Sequence, residues 1–382
     1  MSKSTAERAA GSSEPRARIR GGGTESEGVA PARRRGRGAV SNASGRFETL
    51  ARVDADDDWG ALESLEAFET QVQAERPRRI LTRNDSPDIS FDVSINPYRG
   101  CEHGCVYCFA RPTHAYMGLS PGLDFESRLF VKEGAAALLK RELSAPGYQP
   151  KTIAIGTNTD PYQPIEKTHR VMRSILEVLA QADHPVAIVT KSTLVARDID
   201  ILAPMAARGL AKVALSVTTL DPKIARAMEP RAPTPERRLE TIERLAEAGV
   251  PVGVMVAPVV PGVTDHEMER ILTRAHARGA RSAGYIMLRL PLETRDLFAE
   301  WLVEHFPGKA RRALSLVRDT REGRLYDATF GKRMTGSGPY AWMIARRFEI
   351  ACQKIGFPKT RRKLRADLFV PPEGGGRQLS LF

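Results

Sequence analysis

Between residues 89 and 290 short β-rich apolar runs recur, at 89–95, 152–156, 186–190, 213–217, 252–257 and 285–290, and stretches of helical period such as 165–179 and 235–248 follow them. Strands that alternate with helices are joined by crossovers, and crossovers place neighbouring strands parallel. Six such units are too few to close an eight-fold barrel. The expected fold class is therefore α/β, a partial (β/α)6 TIM-like barrel spanning residues 80–292 with one open side. Barrel sites lie on the loops that leave the C-terminal ends of the strands. Those loops hold a cysteine-rich turn after the first run, Gly156-Thr-Asn-Thr-Asp160 after the second and Thr190-Lys-Ser192 after the third. Ser216 and Thr218 end the fourth run, Pro258-Val-Val-Pro-Gly262 the fifth, and Arg289 the sixth.

The flanks read differently. Residues 1–45 are rich in Gly, Ser, Ala and Arg, including Arg33, Arg34, Arg35 and Arg37, and are expected to be a disordered basic arm. Residues 46–79 form a transitional segment with an acidic patch at 54–58 and an expected short helix over 59–73. After residue 292 the pattern turns helical, with amphipathic stretches at 297–306 and 341–353, so 293–370 is expected to be a helical extension. A flexible tail, 371–382, closes the sequence. The net charge of +12 over 382 residues favours polyanionic partners. The most apolar run, 250–263, is broken by Pro251, Pro258 and Pro261 and is too short to span a bilayer. No targeting segment is legible, so the expectation is a cytoplasmic protein without membrane contact.

Three of the four cysteines, Cys101, Cys105 and Cys108, fall within eight residues in a C-x3-C-x2-C pattern. Three thiolates can hold three corners of a [4Fe–4S] cube and leave one iron open to an exchangeable ligand. Zinc is the rival, since Cys105-x2-Cys108 alone suits a zinc knuckle. A structural zinc site would have to recruit His103, His114 or the distant Cys352. Cys352 lies in a helical pattern, where it reads as a small buried hydrophobe.

The motif, with Tyr107 before the last cysteine, resembles the radical S-adenosylmethionine (SAM) superfamily. The stretch 96–108 followed by Ala110-Arg-Pro-Thr-His114 is similar to the branch related to spore photoproduct lyase, often called DNA-repair-photolyase-like. The resemblance implies that SAM chelates the open iron, that reductive cleavage of its sulfonium yields a 5′-deoxyadenosyl radical, and that this radical abstracts hydrogen from a substrate. It implies SAM-positioning roles for Thr157, Asn158 and Thr159 and for Lys191, whose ammonium suits a carboxylate. Ser216 would be a further hydroxyl partner of the cofactor, farther round the barrel. Strand-end capping competes for the two threonines, and a surface position for Lys191.

The rigid turn Asp160-Pro-Tyr-Gln-Pro-Ile-Glu166 is expected to aim Asp160, Tyr162, Gln163 and Glu166 at the mouth for binding or proton handling, with helix capping as the alternative for Asp160 and Glu166. Arg231 and Arg289 are candidates to hold a substrate phosphate or the SAM carboxylate, with structural ion pairing as the alternative. One departure from the lyase stands out. Thr157 occupies the place of a hydrogen-donating cysteine, and a threonine O–H bond is too strong to quench a carbon radical. Phe109 likewise replaces a tyrosine. The radical-generating machinery carries over from the lyase; the spore lesion as substrate does not.

The terminal peptide Gln378-Leu379-Ser380-Leu381-Phe382, behind a glycine linker, resembles the short peptide by which bacterial repair and replication proteins dock on the β sliding clamp. Leu381 and Phe382 would fill an apolar pocket. The leading expectation is a radical SAM enzyme, of lyase or transferase type, that acts on nucleic acid in a DNA-repair-like role, with DNA the substrate if the clamp is its partner, and that takes electrons from a flavodoxin or ferredoxin. A radical enzyme for a small molecule or protein, and a non-catalytic iron–sulfur adaptor recruited by DNA or the clamp, are the alternatives.

Overall fold

In the computed structural model, which describes residues 28–49, 66–358 and 363–372, the strands are β1 (Gln71–Glu75), β2 (Thr82–Arg83), β3 (Val93–Ile95), β4 (Tyr98–Arg99), β5 (Arg128–Lys132), β6 (Ile153–Ile155), β7 (Val186–Thr190), β8 (Ala211–Ser216), β9 (Val252–Val259) and β10 (Ser282–Met287). Strands β3, β6, β7, β8, β9 and β10 lie side by side in chain order. Every neighbouring pair among them is parallel. The register is level across the centre, with Ile153 beside Val186 and Val186 beside Ala211. This is the open (β/α)6 barrel. β2 adds an antiparallel hairpin strand to β3, and β10 is the opposite edge of the sheet.

Branched apolar residues make these strands, and amphipathic helices cover them. Val186, Ile188, Val213, Leu215, Val252, Val254 and Val256 are all buried. The helix Pro235–Glu247 shows how the sequence starts and orients one such cover. Thr234 caps its N-terminus, proline stands in its first turn, and Leu239, Ile242 and Leu245 form its buried stripe. A second core surrounds Cys105, Val106 and Tyr107, where Phe298, Trp301, Leu302 and Val317 pack from the C-terminal helices. Those helices are Thr294–His305 and Pro307–Asp319, and Gly338–Ile355 follows.

Two local expectations change. Residues 28–45 are not a loose arm but a strap laid on the barrel. Val29, Arg37, Ala39, Val40 and Ser41 are buried, because Gly38 and Ala39 donate their amides to the buried Glu126 carboxylate at 2.7 and 2.8 Å. The arginines are partly consumed in this docking. Arg34 pairs with Glu304 at 2.6 Å, and Arg37 bonds the carbonyls of Phe68 and Glu126. Of the helix expected over 59–73, residues 66–73 contain no helix; Gln71–Glu75 instead pairs parallel with β5 in a three-stranded side sheet. Backbone pairing to β5 outweighs the weak helical pattern there. The acidic patch, the first part of the arm and the terminal peptide lie outside the described residues.

The open side of the barrel is bridged. Met287 at the end of β10 donates its amide to the Met334 carbonyl, while Arg333 and the Gly331 amide bind Asp88 in the β2–β3 hairpin. Among the described residues no helix is long and apolar enough to cross a membrane.

Candidate active site

The cysteine loop follows β4 and is held almost entirely by backbone capping. Glu102 N donates to Gln163 Oε1 at 2.7 Å, and Gln163 Nε2 donates to Gly100 O at 3.2 Å. Cys101 N reaches Phe125 O, and Val106 N reaches Met228 O. Beneath the loop, the fully buried Arg111 guanidinium donates to the carbonyls of Gly104, Cys105, Pro121 and Gly122 and pairs with Glu126 at 2.5 Å. Gly104 has φ +67°, and a Cβ there would meet Glu126 Oε2 at 2.5 Å, so only glycine fits.

Cys101, Cys105 and Cys108 are free thiols, the first two buried. Burial pushes the Cys101 thiol well above its ordinary pKa and the Cys105 thiol up to about 12. Such groups are thiolates only when a cation binds them. Among the described residues no three His, Cys, Asp or Glu side chains converge on a single ion. A cube takes each thiolate on a different iron, so the donor set fits a cluster and not a knuckle. His114 is engaged elsewhere, with Nε2 2.9 Å from Arg128 O and its pKa pushed down to about 4 by burial. Cys352 packs against the main core, away from the cysteine loop.

The strand ends beside the loop are ordered by side chains. Asn96, just past β3, accepts the Asn158 amide at 2.9 Å and exchanges hydrogen bonds with the Thr157 hydroxyl. This leaves Thr157 half-buried and Asn158 exposed, while Thr159 is buried and capped on Tyr98 O. Asp160 ties three elements together. Its carboxylate accepts Thr190 Oγ1 at 2.6 Å, the Tyr162 amide at 2.9 Å and the Lys191 amide at 2.8 Å, and it stands 3.5 Å from His103 Nδ1. Burial alone would raise its pKa; the facing His103 and these hydrogen bonds hold it below the ordinary carboxylate range.

Lys191 Nζ lies 5.7 Å above the Tyr107 ring, with no ion pair among the described residues. Burial would lower its pKa, but the negative potential of Cys105, Glu229 and Asp160 outweighs this and holds the ammonium above its ordinary value. Glu229 anchors the far wall. It accepts hydrogen bonds from Tyr107 and Thr218 and pairs with Arg238, which also holds the Ser216 carbonyl. Burial opposes ionisation of Glu229, while Arg238 and Lys191 keep it an anion. Ser216 itself is buried at the end of β8.

Several site expectations need correction. Tyr162 and Glu166 are turned into the core and do not reach the mouth. Tyr162 is fully buried and donates to Asp198 at 3.0 Å; Glu166 is fully buried against Tyr98, the Met172 amide and Arg197. The two prolines set the turn so that apolar burial, not the cavity, takes these side chains. Gln163 also points to the cysteine loop, where it orders Gly100 and Glu102. Arg231 pairs with Glu102 at 2.5 Å and donates to Gly36 O, so it joins strap to cysteine loop and does not address a cofactor. Arg289 lies at the end of β10, its guanidinium carbon 4.7 Å above the Phe109 ring. The sequence reading assigned no role to Asn96, Arg111, Glu126 or Arg238.

A family model described as the Radical SAM superfamily matches residues 95–275. The chain belongs to the radical SAM superfamily. This radical SAM enzyme is 40% identical over 232 residues to an uncharacterized protein of Mycobacterium tuberculosis, covering 60% of this chain and 68% of that one. It is 25% identical over 183 residues to a radical SAM Nalpha-GlyT isomerase of Pseudomonas phage M6, covering 47% of this chain and 36% of that protein. Its fold is similar to spore photoproduct lyase solved with dinucleoside spore photoproduct, at TM-score 0.53 and 18% identity, covering 75% of this chain and 79% of the lyase. The cofactors of the superfamily are a [4Fe–4S] cluster and SAM. Cys101, Cys105 and Cys108 have the chemistry to hold the cluster; of the residues expected to hold SAM, Thr157 is bonded to Asn96 while Lys191 makes no ion pair among the described residues.

Proposed function

We propose that this radical SAM enzyme acts on nucleic acid. The observation that carries the reading is a cation–aromatic surface on the face that bears the cysteine loop. Tyr116, on the turn leaving that loop, is 70% exposed and Phe47 of the strap is 54% exposed. Their rings lie 5.2 Å apart, and the Arg46 guanidinium sits 5.2 and 5.6 Å from their centres. Exposed aromatic rings with an arginine over them are a stacking platform for bases, and Glu293, which pairs with Arg46 at 2.5 Å, holds that guanidinium in place. The likeness in fold to a lyase solved with a dinucleoside photoproduct supports the same class of substrate.

When bound, the cluster and SAM supply reductive sulfonium cleavage and hydrogen abstraction. The protein's part is to orient and to exclude water. Asn96 holds 157–159, Asp160 fixes the Lys191 backbone, and Glu229 with Arg238 locks the Tyr107 ring under the lysine. No thiol is left over to finish the reaction, since three cysteines are the ligand set and Cys352 is packed in a helix. A redox-neutral rearrangement, in which the abstracted hydrogen returns to the product, suits this inventory better than lesion reversal through a protein thiol. The phage relative named as an isomerase favours the same class. The terminal peptide Gln378–Phe382 would bring the enzyme to DNA through the sliding clamp.

The test is anaerobic turnover with reductant and SAM in the presence of oligonucleotides deuterated in the sugar and base. The reading expects nucleic acid to stimulate SAM cleavage and deuterium to exchange into the 5′ position of the deoxyadenosyl group, recovered in SAM or in 5′-deoxyadenosine. SAM cleavage indifferent to every nucleic acid, with no label transfer, would overturn it in favour of a small-molecule or protein substrate.

A further inference from the structure

We infer that Arg289, just past the C-terminal end of β10 and over the Phe109 ring beside the cysteine loop, forms a phosphodiester subsite. The inference rests on the nucleic-acid reading above and places one backbone contact of that substrate. Arg289 is a guanidinium without an anion. It has no ion pair among the described residues, its Nη1 finds only the Met334 thioether at 3.4 Å, and its buried Nε has no acceptor. Thioether sulfur is a weak acceptor, and a buried donor left unpaired calls for a physical reason.

The surroundings make the deficit larger. Arg321, fully buried beside it, spends Nη1 and Nη2 on the carbonyls of Lys332 and Leu288, and its own Nε is also unpartnered. These bonds fix the Leu288 backbone beside Arg289 and place a second positive charge there that no carboxylate bonds, with Asp327 the carboxylate that acts on it from nearby. Burial, then the charge of Arg289, lower the pKa of Arg321. Phe109, the residue after the cluster ligand Cys108, floors the site with a ring 38% exposed. Two adjoining cations, a rigid aromatic floor and a planar fork with spare donors are the recognition chemistry of an oxyanion. The loop that carries Met334 is also the one that Arg333 latches to Asp88, so the subsite lies where this loop bridges the open side of the barrel.

The SAM carboxylate offers the same charge, and the experiment separates the two sources. Holoenzyme reconstituted with iron, sulfide and SAM is titrated into a fluorescent single-stranded oligonucleotide over a series of salt concentrations, and SAM affinity is measured on the same preparations. Arg289→Gln is expected to weaken oligonucleotide binding on the order of tenfold and to reduce the salt slope by about one contact. Arg289→Lys, which keeps the charge and guards against a folding artefact, retains the slope. Wild-type binding with an unchanged affinity and slope in Arg289→Gln overturns the subsite and leaves the nucleic-acid reading standing. A loss of SAM affinity without a change in oligonucleotide binding reassigns Arg289 to the cofactor and overturns it too. Failure of the wild type to bind any nucleic acid removes the reading and the subsite together.

Discussion

Replacing Glu126 with alanine tests whether the strap and the cysteine loop are one unit. The carboxylate is fully buried and accepts from Gly38 N at 2.7 Å, Ala39 N at 2.8 Å and Arg111 Nη2 at 2.5 Å. Removing one partner of a buried ion pair costs about 3–5 kcal/mol. Arg111 keeps four backbone carbonyls as acceptors, which puts its share near the lower limit of about 3 kcal/mol. The two strap amides can turn to water, so their loss adds only about 1 kcal/mol. The sum is a destabilisation of about 4 kcal/mol, read from urea unfolding, together with new protease cleavage within 28–45. Glu126→Gln keeps one acceptor and is expected to cost about half as much. The double variant Arg111→Met with Glu126→Leu should cost less than the two single changes added, because neither buried charge is then left alone. A change below about 1 kcal/mol for Glu126→Ala, with the strap still protected, would refute the coupling.

Asn96→Ala frees the Asn158 amide from its acceptor, and SAM affinity should fall on the order of tenfold while iron content is retained; calorimetry with unaltered affinity would return Asn96 to a merely structural role. His184 is buried, accepts the Tyr148 hydroxyl, and has its pKa pushed down to about 4 by burial. Its folded pKa is depressed below the unfolded 6.5, so between those values the unfolded chain binds a proton that the folded chain refuses. Stability therefore falls as pH drops through this window, by roughly 3 kcal/mol. His184→Gln should flatten that part of the stability curve, and an identical curve would contradict the assignment. Deleting residues 378–382 should abolish capture by the sliding clamp without altering thermal unfolding; undiminished capture would remove the tail from the account.

The barrel was legible because its strands are fixed by local composition. Residues 186–190 fold as read, and the helix over 235–248 differs by one residue at its end. The cysteine loop was legible because ligand spacing is a local property. What escaped depends on partners far away in sequence. The strap looks disordered until Glu126, 88 residues on, supplies the acceptor for Gly38. The turn at 160–166 looks like a display of polar groups, yet Tyr162 and Glu166 meet Asp198 and Arg197 and are drawn inward. Arg231 has the appearance of a phosphate ligand in sequence and is taken by Glu102 in space. Charge alone does not say which arginine is already paired, and that information resides in the fold.

The central claim is that three thiolates hold a [4Fe–4S] cluster whose fourth iron accepts SAM. Anaerobically purified protein, reduced and examined by electron paramagnetic resonance with and without SAM, tests it most directly. The account predicts a reduced-cluster signal that changes when SAM is added and is lost in Cys105→Ala. Zinc in place of iron, or a cluster signal indifferent to SAM, would contradict it.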